Sequence, residues 1–126
     1  MHRRDATCRR LGIGLKDAAP GRATVTMRVD ESMVNGHGTA HGGFLFLLAD
    51  AAFAFACNTH GPVTVAQGAQ VTFLRPSHAG DDLVADAVER GRFGRSGIYD
   101  VTVRGAGGEV IAEFRGQSQM LPARAG

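Results

Sequence analysis

The sequence predicts an α+β fold in which a curved antiparallel sheet wraps around one long apolar helix. Two patterns predict it: the apolar run from Gly42 to Cys57, and alternating segments on both sides of that run. The run is rich in Leu and Ala, poor in β-branched residues and too long for a strand, so it reads as a helix. It is apolar all round, which marks a buried or membrane helix rather than a surface one. Its rise of about 24 Å falls short of a hydrocarbon core of roughly 30 Å, and Asp50 at its middle is costly in lipid. A central helix in a soluble protein follows.

The flanking elements are read in order. A short helix is expected near Ala6 to Arg10 and a strand near Ile13 to Ala18. From Arg22 to Asp30, Ala23, Val25, Met27 and Val29 point one way and the polar residues between them the other, the period of a half-buried antiparallel strand. Beyond the helix, Thr64 to Arg75 places Val65, Val71 and Phe73 in one phase and stops at Pro76. Asp82 to Arg90 is a weaker strand. Ile98 to Arg104 and Glu109 to Gln119 alternate again, with Ala106-Gly107-Gly108 as the hairpin loop. A helix this apolar needs cover on most of its circumference, and the sheet supplies it.

At 126 residues the chain reads as a single domain, residues 1–126, with no repeat, linker or low-complexity segment. The net charge is +2, and the basic residues are scattered apart from Arg3, Arg4, Arg9 and Arg10, which have no aromatic residues among them. No nucleic-acid-binding module accompanies them, so no nucleic-acid partner is expected. Cys8 and Cys57 show no C-x-x-C spacing or disulfide frame, and Cys57 reads as core. The N-terminal stretch has arginines but no apolar signal core, so cytoplasm is the expectation.

The densest polar and glycine cluster, Asn35 to Gly43, feeds directly into the apolar helix. Gly38 and Gly43 match P-loop glycines, but Phe44-Leu45 stands where Lys-Ser/Thr is needed. Gly36-His37-Gly38 starts a dinucleotide fingerprint whose third glycine comes one residue late. His37 and His41 have i, i+4 spacing but lack the intervening Glu of a zinc helix and any evident third ligand, so no metal is expected. What remains is a helix N-terminus with glycines in its first positions. Its orphan N–H groups and dipole can polarise a carbonyl and hold an oxyanion. The alternative is that Gly42 and Gly43 merely let the helix pack closely against a strand.

Asp50 bears on that choice. A carboxylate in an apolar helix must be paired, raised in pKa or open to a cavity. Its same-face neighbours Gly43, Phe46, Phe53, Ala54 and Cys57 include no base, so a partner would come from a strand or another subunit. It reads either as a structural carboxylate or as a catalytic one beside an oxyanion site. No G-x-S-x-G or Ser/His/Asp set points to a serine hydrolase.

Asn35-Gly36-His37-Gly38-Thr39-Ala40-His41-Gly42-Gly43, Asp50, and Phe73-Leu74-Arg75-Pro76 together resemble the hotdog-fold acyl-CoA thioesterases, and among them the phenylacetic acid degradation branch. The likeness continues through Gly94-Arg95-Ser96-Gly97-Ile98-Tyr99-Asp100-Val101 and Phe114-Arg115-Gly116. It implies a homo-oligomer, a dimer with sites at its interface and commonly a tetramer. It also implies the Gly42 amide as oxyanion donor, with Asn35 and His41 shaping that side. Asp50 of the facing subunit would be nucleophile or general base, and Arg75, Arg95, Ser96 and Gly97 would lie near coenzyme A. Coenzyme A belongs to the substrate, so no separate cofactor is implied.

One departure is that Ala66, with Gln67 and Gln70 nearby, stands where some relatives carry a water-positioning Ser or Thr. A thioester suits a site of one carboxylate and one oxyanion hole, because a thiolate leaves without a strong general acid. The competing readings are a hotdog hydratase or dehydratase, which needs a His/Asp or His/Glu pair at the acyl β-carbon, and a non-catalytic acyl-CoA-binding module.

Overall fold

The computed structural model describes residues 6–122, so Arg3, Arg4 and both ends of the expected domain lie outside the described residues. Helix α1 spans Ala6–Leu11, β1 Gly14–Ala19 and β2 Arg22–Arg28; a 3-10 turn at Glu31–Met33 then leads towards α2, Gly42–Cys57. Four strands follow: β3 Thr64–Phe73, β4 Asp82–Phe93, β5 Ser96–Arg104 and β6 Val110–Met120. They form one antiparallel sheet in the order β1-β2-β4-β5-β6-β3. The strand that follows α2 thus lands at the far edge, beside β6.

Alternation in β2 does what its sequence demands: Ala23, Val25 and Met27 are buried, and Val29 just beyond the strand is buried too. In β4 the buried residues are Leu83, Ala85 and Ala87, and the strand runs three residues past the expected Arg90 to Phe93. The hairpin between β5 and β6 closes through Gly108 N–H donating to the Gly105 carbonyl at 3.0 Å. The left-handed φ of +88° at Gly108 explains a glycine there.

The sheet closes on α2 through aromatic contacts. The Phe53 ring lies 5.6 Å from Tyr99 and 5.8 Å from Phe114, and Phe46 meets Phe114 edge-on at 5.3 Å. Gly116 makes this approach possible, since a Cβ there would sit 2.8 Å from the Phe53 ring. Leu45, Leu48, Ala49, Ala52, Phe53 and Ala56 are fully covered. One stripe is not: Gly43 is exposed, and Leu47, Asp50 and Ala54 are half-buried. These four share a helical face.

Strand β3 corrects the sequence reading in one respect. A bulge between Ala66 and Gly68 inserts a residue, so Val65 pairs with Gln119 while Val71 pairs with Phe114. Val65 therefore lies on the outer face, out of phase with Val71 and Phe73. Phe73 is on the helix side but stays 50% exposed, because β3 is an edge and α2 covers little of its inner face.

The outer face carries a charge ladder across β4, β5 and β6. Arg90 donates to Asp100 at 2.8 Å, and Arg115 donates to it at 2.6 and 2.9 Å. The Arg115 bonds, helped by Arg90 and opposed by partial burial, hold the Asp100 carboxyl down at about 2, below its ordinary 3.8. A depressed carboxyl stabilises the fold above its unfolded pKa and loses that contribution as pH falls through the folded one. Asp100→Asn is expected to lose about 2 kcal/mol at neutral pH. The gap from wild type should close as pH falls from 3.8 towards about 2, read by denaturant titration across pH.

Candidate active site

The loop before α2 is built around Asn35. Its side-chain Oδ1 accepts from His37 N–H at 2.9 Å, Thr39 N–H at 3.2 Å and the Thr39 hydroxyl at 3.1 Å. Its backbone N–H donates to the Thr39 carbonyl at 2.9 Å. None of these bonds uses Asn35 Nδ2, which remains a donor for other partners. His41 N–H donates to the Met33 carbonyl at 2.8 Å, fixing the loop's exit into the helix. His41 is the N-cap, and its side chain makes no capping bond. The first turn carries no acidic residue either, so neither a carboxylate nor a cap neutralises this end.

The two opening glycines differ. A Cβ on Gly42 would come within 2.7 Å of Phe73 Cζ, whereas one on Gly43 would meet nothing within 4 Å. Close packing against a strand is therefore realised at Gly42, and open space lies beside Gly43. A cleft of about 410 Å³ opens here, lined by Thr39, Gly42, Leu45, Phe73, Arg75 and Ser77 among others. The Ser77 hydroxyl is buried without a hydrogen-bond partner beside this cleft. Phe73 and Ser77 are site residues that the sequence reading did not single out. The Phe-Leu-Arg-Pro segment carried the only signal for the first, and nothing local flagged the second.

Asp50 sits on the half-open stripe of α2, eight residues beyond Gly42. Along one helix that is about 12 Å, so a single chain does not bring the two together. Burial pushes the Cys57 thiol up to about 11, and the nearby Asp50 charge adds to the shift. Cys57 is thus held as a neutral thiol, consistent with a core role.

The arginines expected near coenzyme A divide into two places. Arg75 follows the C-terminal end of β3 and lines the cleft with Gly42, its N–H and that of Leu74 both donating to the Ile111 carbonyl. Arg95 lies in the β4–β5 turn, and Ser96 and Gly97 open β5. The Ser96 hydroxyl bonds Gln119 at 3.2 Å, and Gln119 pairs with Val65 at the other end of β3. The eight residue steps from Val65 to Phe73 span roughly 25 Å. Within one chain these two groups are far apart.

A second polar cluster closes the far end of α2. Glu89 accepts from the Tyr99 hydroxyl at 2.9 Å and bonds His60 Nε2 at 2.8 Å. Partial burial pushes the Glu89 carboxyl up, but the His60 and Tyr99 bonds outweigh it and hold it below its ordinary range. Burial, then the Glu89 bond, pushes the Tyr99 hydroxyl well up. Glu89, His60 and Tyr99 are each bonded within this cluster, and it reads as a cap on the core.

Comparison with known proteins agrees with this architecture. A model of the thioesterase superfamily matches residues 37–112, which include the loop from His37 onwards, α2, β3, β4 and β5. The chain is 43% identical to the acyl-coenzyme A thioesterase PaaI of Escherichia coli over 121 residues, 96% of this chain and 86% of that protein. The solved structure of E. coli PaaI, from the phenylacetic acid degradation operon, superposes with a TM-score of 0.96 at 42% identity, covering 98% of this chain and 89% of that one. A mutant of the phenylacetic acid degradation protein PaaI from Thermus thermophilus gives 0.89 at 41% identity, with 93% and 100% covered. With a family model spanning most of its length and a relative this similar, the chain belongs to the thioesterase superfamily and has its hotdog fold.

Proposed function

We propose that the protein hydrolyses acyl-CoA thioesters to free acid and coenzyme A, as a homodimer or a tetramer made of two such dimers. The observation that carries this reading is the glycine-opened, side-chain-uncapped N-terminus of α2 facing a cleft that also holds Arg75. Amides there stabilise the oxyanion that forms when the thioester carbonyl is attacked. Asp50 of the second subunit attacks or activates water, and the thiolate leaves without a general acid. Coenzyme A enters as part of the substrate, and no further cofactor takes part. The two named PaaI proteins favour a phenylacetyl or ring-modified acyl group, and cytoplasm remains the expected location.

Three features support a shared site. The open stripe on α2 and the open inner face of β3 together leave apolar surface that a second copy would cover. Strand β3 is a sheet edge with β6 as its neighbour, and a two-fold axis beside it would run a partner's β3 antiparallel. That same operation would carry one subunit's Arg95 to Gly97 towards the other's Arg75.

The test incubates the protein with a panel of acyl-CoAs and a thiol reagent. Release of free thiol is expected, whereas loss of enoyl absorbance would point to a hydratase, and tight binding without turnover to a sensor. Arg75→Ala should mainly raise KM, because a phosphate contact is made equally in ground and transition states. The effect should shrink on a pantetheine thioester; equal loss on both substrates would make Arg75 structural.

A further inference from the structure

The Phe73 ring occupies an unusual place for a half-exposed aromatic. It presses on Gly42 so closely that even a methyl group there would be 2.7 Å from its Cζ. It comes from the last paired residue of β3, opposite Ala112, and lines the same cleft as Gly42, Leu45 and Arg75. On the neighbouring glycine the corresponding space is empty. The first turn of α2 is therefore walled on one side and open on the other.

We propose that Phe73 is a positioning residue for hydrolysis, a flat apolar wall that sets where a thioester carbonyl can lie against the first-turn amides of α2. The inference rests on the hydrolase reading above. An amide pair open on both sides would accept a carbonyl in several poses, few of them aimed at a nucleophile. With the ring fixed on the Gly42 side, the chain on either side of the thioester lies along an aromatic face and the oxygen is turned towards the Gly43 side. The ligand class is the apolar stretch next to a thioester, since Leu45 and Phe73 offer no hydrogen-bonding group there. Arg75, in the same cleft, is left to the charged end of the substrate.

A wall of this kind acts on geometry at the reacting carbon, so its loss should fall on kcat. A misplacement of about 1 Å at that carbon is enough to cost one to two orders of magnitude. A residue that merely held substrate would change KM and leave kcat alone. The contact with Gly42 gives a second handle. Gly42→Ala should drive the ring out of place, and removing the ring should relieve that clash.

The test compares the full-length wild type with Phe73→Ala, Phe73→Leu, Gly42→Ala and the Gly42→Ala/Phe73→Ala double variant. Each is assayed by thiol release from the same acyl group carried on CoA and on N-acetylcysteamine, with thermal midpoints measured alongside. Phe73→Ala should lower kcat at least about tenfold on both carriers, with Phe73→Leu recovering part of the loss. The double variant should be no slower than Phe73→Ala alone, although each single change is harmful. An unchanged kcat in a folded Phe73→Ala variant overturns the proposal, as does a change confined to KM or losses that simply multiply in the double variant. Wild type that releases no thiol from any acyl-CoA overturns the hydrolase reading itself, a result distinct from an active wild type that tolerates Phe73→Ala.

Discussion

Asp50→Asn is expected to lower turnover by at least about 100-fold while leaving the fold intact, as loss of a general base or nucleophile does. The shape of the side chain is kept, and Asp50 sits on the half-open stripe of α2 rather than among its fully covered residues, so an amide is tolerated there. What the amide cannot do is take a proton from water or attack a carbonyl. Thiol release from the preferred acyl-CoA, with circular dichroism and thermal midpoint as controls, measures the effect. Near-normal turnover in a folded variant would end the catalytic assignment, and wholesale unfolding would show that the carboxylate is there for structure.

Mixing two inactive variants is expected to restore about a quarter of wild-type activity. The helix spaces Gly42 and Asp50 by about 12 Å, whereas reacting groups must approach within about 3–3.5 Å. If Asp50 comes from the facing subunit, then Asp50→Asn and Asn35→Ala damage different halves of each site. Equal amounts with free exchange make about half the dimers mixed, and each mixed dimer contains one intact site of two. Exchange is verified by tagged subunits, and activity is followed over the same interval. An active monomer, or no recovery after proven exchange, would refute the shared site.

Much of this architecture is legible in the chain. Helix α2 begins and ends at the residues where its apolar run begins and ends, because Leu and Ala propensity and the flanking turn residues agree. The buried alternation of β2 is equally plain, since Ala23, Val25 and Met27 all face the core. What local pattern could not reveal is the order of the strands. Pairing of β3 with β6 depends on contacts between residues 39 to 56 positions apart, and together with the β5–β6 pairing it separates Arg75 from Arg95 and Ser96. Nor does sequence show that Phe73, in phase with Val71, rests on Gly42 instead of sinking into the core. Ser77 is a further case, because its burial arises from the packing of a loop against the Thr39 segment.

The bulge in β3 has a consequence for how the open inner face of that strand can be reshaped. In an unbroken strand, positions three apart face opposite ways. Here Ala66 pairs with buried Ser118 and Ala69 with Gly116, the glycine pressed against Phe53, so both alanines face the helix. Two small side chains thus lie on the same inner face only three positions apart. Exchanging either for a bulkier or a polar residue would raise or wet that part of the face while every backbone bond to β6 stayed in register. The extra residue turns an edge strand into two separately adjustable tiles, so that the relief of its inner face and its strand pairing vary independently in the same ten residues.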